Sequence, residues 1–130
     1  QNTLAEGSTS AAYCLCAAGH YQAHGGTFAF AGGLYYPRAV AVSPSGTHAF
    51  IADTFNHVIK EVSFGDGSTR LVAGSGSAGY AEGKGGNALF HEPSGLAVHP
   101  DGQWIFVSDK LNHKIRWIEL ETAQTGLLAG

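Results

Sequence analysis

Ala52-Asp-Thr-Phe-Asn-His-Val-Ile59 and Ser108-Asp-Lys-Leu-Asn-His-Lys-Ile115 are two versions of one eight-residue phrase, set 56 residues apart. Extended outward without gaps, the match pairs Pro37–Gly74 with Pro93–Gly130, and 14 of the 38 aligned positions are identical. Several of the other pairs keep their character: Val40 with Leu96, Ile51 with Val107, Lys60 with Arg116 and Val62 with Ile118. A repeat this dense decides the architecture before any single element does, because each unit needs a neighbour to bury its apolar face.

Within each copy, short apolar runs alternate with turn chemistry. Gly95-Leu-Ala-Val98 ends at His99-Pro-Asp-Gly102, and Trp104-Ile-Phe-Val107 follows as a run of β-formers. Ser108–Asn112 makes the next connection, Lys114–Leu120 is a third strand, and Thr125–Ala129 is a fourth. The first copy places the same four strands near 39–42, 48–52, 58–64 and 69–73. In the third strand the apolar residues fall at Ile59, Val62 and Phe64, and at Ile115, Ile118 and Leu120. That spacing of three and then two predicts a β-bulge in this strand of both copies. No segment carries a helical period, so the fold class is all-β.

Four strands per unit, repeated after a long connection, is the sequence form of a β-propeller blade. The two Asp-x-x-Asn-His phrases resemble the core of NHL repeats, with Ile and Val where that family's name has Leu. Phe90-His-Glu-Pro-Ser-Gly-Leu-Ala-Val-His-Pro-Asp-Gly102 resembles the family's opening strand and turn. Leu71–Gly74 followed by Gly79–Gly86 is similar to its Gly-rich inter-blade loop. The resemblance implies a partial NHL-type propeller with blades at 34–74 and 93–130, joined by a Gly-rich loop at 75–92. That loop reads as an irregular connection with Phe90 turned inward as its anchor. Residues 1–12 form a leader. Residues 13–33 hold either the closing strand of an earlier blade, with Tyr13–Gly19 matching Ser68–Gly74, or the end of a cysteine-rich, EGF-like module.

Composition bounds the function. The 130 residues include 19 Gly, only 13% charged side chains and 44% hydrophobic ones, with a net charge of −3. The hydrophobic share excludes a disordered chain, and no apolar stretch is long enough to span a bilayer as a helix. The negative net charge argues against nucleic acid as a partner. Lys110, Lys114 and Arg116 beside Trp117 form a small basic group that reads as a solvated strand face. The glycines of Gly74–Gly79 precede no helix, so they form no phosphate loop.

Asp53, Asn56, His57 and their counterparts Asp109, Asn112, His113 are the candidate site residues. Their place between the second and third strands predicts a structural role. Asp accepts backbone N–H bonds, Asn tolerates left-handed geometry, and His bridges to a neighbouring loop. Recurrence once per unit suits architecture, since an active site needs assembling only once. Of the seven His, His20 and His24 lie four apart beside Gly25-Gly26, and His48, His91 and His99 have no ligand-like spacing. No catalytic residue, metal ligand or cofactor is therefore assigned.

Cys14 and Cys16 on one strand point to the same face about 6.6 Å apart, a poor fit to each other, so disulfide partners would lie elsewhere. The cysteine pattern favours an extracellular setting, with a cytoplasmic one as the alternative.

The resemblance implies a non-catalytic scaffold for protein interaction. Its alternatives are a propeller enzyme of the metal-dependent lyase or hydrolase kind, and an RNA-binding NHL domain. Two blades do not close a propeller, which has typically 4–8. Unclosed, they leave apolar surface around Val40, Val42, Ile51, Leu96, Val98, Ile105 and Val107 to be covered. The expected partners are further blades of a longer chain, or other copies in a ring or filament.

Overall fold

The computed structural model describes residues 32–130, which form two antiparallel sheets joined by a Gly-rich loop. The first sheet has strands β1 (Pro37–Val42), β2 (His48–Asp53), β3 (Val58–Ser63) and β4 (Thr69–Ala73), hydrogen-bonded in chain order. The connecting loop contributes a two-residue strand, β5 (Gly83–Lys84). The second sheet follows with β6 (Pro93–Val98), β7 (Trp104–Asp109), β8 (Lys114–Glu119) and β9 (Gln124–Ala129). It runs in the order β5-β9-β8-β7-β6. In each sheet four consecutive strands form a meander, the blade of a β-propeller.

Local chemistry sets the connections. After β1 and β6 the chain turns at Ser43–Gly46 and His99–Gly102, where the Gly N–H bonds the first carbonyl at 2.9 and 2.8 Å. Pro44 and Pro100 supply the second turn position, and Gly46 and Gly102 take positive φ (74° and 76°). Between the second and third strands, single 3₁₀ turns at Thr54–Asn56 and Lys110–Asn112 end on His57 and His113, both left-handed (φ 58° and 57°).

Register irregularities recur at matching positions. β1 skips Arg38 against β2, as β6 skips Ser94 against β7. β4 skips Val72 against β3, as β9 skips Leu128 against β8. The expected bulge in the third strand is therefore corrected: the extra residue lies on the fourth. The spacing of three in β3 has another cause. Ile59 and Val62 lie on opposite faces of a strand buried on both sides.

The main core lies between the sheets. Phe50, Ala52, Ile59 and Val72 of the first meet Ile105, Val107 and Ile118 of the second, with Phe90 and Ala88 of the loop between them. Each large side chain buried here stabilises the fold by roughly 1.5–3 kcal/mol. On the far face of the first sheet Ala49, Ile51 and Val62 form a second cluster with Leu34 and Phe64.

The loop is mostly irregular, with a 3₁₀ turn at Gly85–Asn87 and a fully buried Phe90, as the sequence predicts. The exception is β5, which pairs Gly83 and Lys84 with Thr125 and Gln124 and adds a fifth strand to the second sheet. Of the apolar residues expected to need cover, Ile105 and Val107 are fully buried, whereas Val40 and Val42 remain exposed.

Candidate functional site

Asp109 stands at the end of β7, fully buried, with its acceptors filled from three directions. Oδ1 takes the His91 backbone N–H at 2.8 Å. Oδ2 takes the Asn112 amide at 2.7 Å and the Arg116 Nη1 at 2.8 Å. The Asn112 amide also donates to the Gly79 carbonyl at 2.8 Å, so the pair pins two points of the connecting loop to the blade. The Leu111 N–H closes the exchange by donating to the His91 carbonyl at 3.1 Å.

The first blade repeats this geometry. Asp53, also fully buried, accepts the Tyr35 N–H at 2.7 Å through Oδ1, and the Asn56 amide at 2.7 Å through Oδ2. Lys60 Nζ sits 3.1 Å from Oδ2, where Arg116 sits in the second blade. Asn56 reaches back to the Gly33 carbonyl and Phe55 N–H to the Tyr35 carbonyl, at 3.1 and 3.0 Å. Several donors and a cation around a buried carboxylate offset the cost of taking it out of water.

His57 has a different task. Its Nδ1 accepts the Glu92 backbone N–H at 3.0 Å, which places the ring proton on Nε2 and ties the first blade to the loop entering the second. Its ring packs edge-on to His91 at 5.5 Å. Thr54 Oγ1 donates to the Pro93 carbonyl at 2.7 Å beside it. His113 has the same left-handed backbone as His57 and lies exposed.

Arg116 corrects the expectation of a solvated basic face. It is fully buried. Its guanidinium donates to the carbonyls of Leu89 and Ala81 and to Glu82 as well as Asp109. It also stacks between Tyr80 and Phe90, 4.6 and 4.4 Å from the ring centroids. The loop folds over a cation that the strand pattern alone would put in water. Glu82, paired with this guanidinium, also accepts from the Tyr80 hydroxyl, and that bond holds the phenol above its ordinary range.

Glu82 and Tyr80 were not legible as site residues. The visible signal was the cation placed seven residues after each Asp: Lys60 and Arg116. Trp117, the other member of the expected basic group, packs edge-on to Trp104 and lies over Gly126. The assigned Asp, Asn and His therefore gather at one end of each blade, and His48 and His99 lie elsewhere, beside Glu61 and Asp101. Among the described residues no group of three His, Cys, Asp or Glu is placed to hold a metal ion. Cys14, Cys16, His20, His24 and the expected strand at 13–19 lie outside the described residues.

The same arrangement of blade and motif places the chain among known proteins. It is 33% identical over 90 residues to NHL repeat-containing protein 2 of Bos taurus, and 30% over 101 residues to the Homo sapiens protein of that name. The chain belongs to the NHL-repeat family. It is likewise 34% identical over 91 residues to Protein SUPPRESSOR OF QUENCHING 1, chloroplastic, of Arabidopsis thaliana. These matches cover 68%, 73% and 70% of this NHL-repeat chain, but only 12%, 13% and 8% of those proteins. Among solved structures, an auxiliary nutrient binding protein from Bacteroides thetaiotaomicron shares the fold, with a TM-score of 0.59 at 23% identity. That match covers 70% of this chain and 25% of the other. No family model matches the chain.

Proposed function

We propose that these NHL blades serve as a non-catalytic scaffold for protein interaction, continued by further blades or by other copies of the chain. One observation carries the reading: the polar groups of the repeated motif are spent on the fold. Asp109 is bound by His91, Asn112 and Arg116, and Asp53 by Tyr35, Asn56 and Lys60. His57 is occupied by the Glu92 N–H. A carboxylate engaged by three donors in the interior is committed to the fold, and withdrawing Asp109 would leave the buried Arg116 charge without its counter-ion. The withdrawal of Arg116 from the surface also weakens the basic group that would favour RNA.

The test has three arms. A protein partner recovered by cross-linking the tagged chain should bind the purified chain with an affinity unaffected by chelator. A metal ion retained at one equivalent, and required for hydrolase or lyase turnover, would overturn the reading in favour of the propeller enzyme. Binding of single-stranded RNA that weakens steeply with salt would overturn it in favour of the RNA-binding domain.

A further inference from the structure

The turn from β1 to β2 carries a chain of polar side chains that the repeated motif does not use. Glu61 Oε2 lies 3.2 Å from His48 Nε2, and its other carboxylate oxygen is held by Arg70 Nε. His48 Nδ1 lies 2.9 Å from Thr47 Oγ1. Thr47 Oγ1 is 2.8 Å from Ser45 Oγ, which is 3.0 Å from Ser43 Oγ. The His48 ring stands edge-on to Phe50 at 5.2 Å, and the Phe64 N–H fixes the Thr47 carbonyl at 3.0 Å.

With a neutral ring, protons along this chain can point only one way. A carboxylate accepts and does not donate, so the ring proton sits on Nε2 and faces Glu61. Nδ1 is then an acceptor, and Thr47 gives it the hydroxyl proton. Thr47 Oγ1 in turn accepts from Ser45, and Ser45 from Ser43. Carboxylate, imidazole and hydroxyl in this order are the parts of an activated nucleophile: an orienting group, a base and an attacking oxygen. Thr47 is exposed, so that oxygen is within reach of a reagent.

A blade does not need this group. In the second blade Ser43, Ser45, Thr47, His48, Glu61 and Arg70 become His99, Asp101, Gln103, Trp104, Trp117 and Gly126. The turn is nevertheless the same. Gly102 N–H bonds the His99 carbonyl as Gly46 bonds that of Ser43, and Leu120 N–H bonds the Gln103 carbonyl as Phe64 bonds that of Thr47. Recurrence marks the Asp-x-x-Asn-His motif as architecture, and the relay lacks it. Gln103 is exposed even with the first blade beside its own, so exposure belongs to this position of the fold.

We propose that Thr47 is an acyl-acceptor site, with His48 as its base and Glu61 as the residue that positions the base. The donor is an activated acyl compound, an aryl ester or a thioester. Thr47 Oγ1 bonds to the acyl carbon while its proton passes to His48 Nδ1, and Glu61 holds the resulting imidazolium. The bond from the acyl carbon to the phenolate or thiolate then breaks. That group leaves with the electron pair, and His48 returns the proton to it. The chain keeps the acyl group as an ester of Thr47, a single transfer without turnover that goes beyond the scaffold reading and does not depend on it. A phosphoryl donor suits the site less, because the guanidinium of the group, Arg70, is spent on Glu61.

Acetylation of the full 130-residue chain by p-nitrophenyl acetate, followed residue by residue by peptide mass spectrometry, tests this. Far-UV circular dichroism confirms that each variant folds. Thr47 should take one acetyl group about 100-fold faster than Thr69, an exposed threonine of β4 that serves as the internal reference. His48→Gln should bring Thr47 down to the Thr69 rate, and Thr47→Ser should keep the acetyl group at position 47. The rate at Thr47 should rise with pH as the ring becomes neutral and then level off. Glu61→Gln, whose amide can donate to Nε2 and impose the wrong tautomer, should lower that plateau, which a merely structural residue would leave in place. Thr47 reacting no faster than Thr69 overturns the proposal, as does acetyl on Ser45 in its stead. So does a His48→Gln chain that reacts at the full rate, or a Glu61→Gln chain with an unchanged plateau. None of these results bears on the partner, metal and RNA arms that test the scaffold reading.

Discussion

The two blades hold the same Asp, Asn and His in the same backbone geometry, but they surround the central ion pair differently. In the first, the Lys60 side chain keeps 21% of its surface in solvent. In the second, Arg116 has none, because Tyr80, Ala81, Glu82, Leu89 and Phe90 close over it. A lysine that loses its carboxylate can turn to water, whereas a sealed guanidinium cannot. The comparison teaches that one motif can be a turn anchor in one blade and the centre of a buried polar network in the next. What lies over it makes the difference.

The sharpest way to break this comparison is to remove each carboxylate in turn. Asp109→Ala leaves the Arg116 charge buried without its closest counter-ion and should destabilise by about 3–5 kcal/mol. Asp53→Ala unpairs the Tyr35 N–H and the Asn56 amide but lets Lys60 hydrate, so about 1–3 kcal/mol is expected. Urea unfolding of both variants reads the difference. Equal losses would mean that the seal over Arg116 contributes nothing.

A second contrast lies one strand outward. Glu61 and Arg70 face each other across β3 and β4 as an ion pair, whereas Trp117 and Gly126 face each other across β8 and β9. A Cβ on Gly126 would stand 2.1 Å from the Trp117 ring, so the ring lies flat against the backbone where any side chain would displace it. Gly126→Ala should therefore lose about 1–3 kcal/mol through forced repacking. In a Trp117→Ala background the same change should be close to neutral. Equal losses in both backgrounds, in a double-mutant cycle, would place the strain elsewhere.

The histidines compare a covered face with an open one. His57 and His113 share a left-handed backbone, so alanine carries the same conformational penalty at both and that penalty cancels. The excess loss for His57→Ala over His113→Ala, measured in dilute protein, should be about 0.5–1.5 kcal/mol, the contribution of its bond to the Glu92 N–H. No excess would show that this bond does not hold the loop to the first blade.

Much of this architecture was legible because its determinants are local. The β1–β2 and β6–β7 turns are set by Pro44 with Gly46 and Pro100 with Gly102, and the motif turn by Asn-His within a few residues of Asp. What was not legible depends on contacts distant in sequence. Arg116 is buried by carbonyls 27 and 35 residues away, a distance no strand pattern encodes. Gly83-Lys84 has no β-forming composition and becomes a strand only because the edge of β9 offers unpaired groups. The bulge was misplaced for a related reason. An apolar spacing of three reads as an inserted residue when one buried face is assumed, and β3 is buried on two.

The smallest effect belongs to the first blade's cross-strand pair. Arg70 Nε contacts Glu61, but the Arg70 side chain is 64% exposed, so water and salt screen the attraction and a long side chain must be ordered to keep it. Glu61 keeps a second neighbour, His48 Nε2 at 3.2 Å, so it is not isolated when the arginine goes. Arg70→Ala should therefore lose about 0.5 kcal/mol or less, and the loss should vanish in high salt. The Trp117–Gly126 packing that takes this position in the second blade is apolar, and its contribution should survive the same salt. A salt-insensitive loss above about 1 kcal/mol for Arg70→Ala would show instead that the arginine stem packs on the sheet, making both cross-strand pairs apolar contacts in effect.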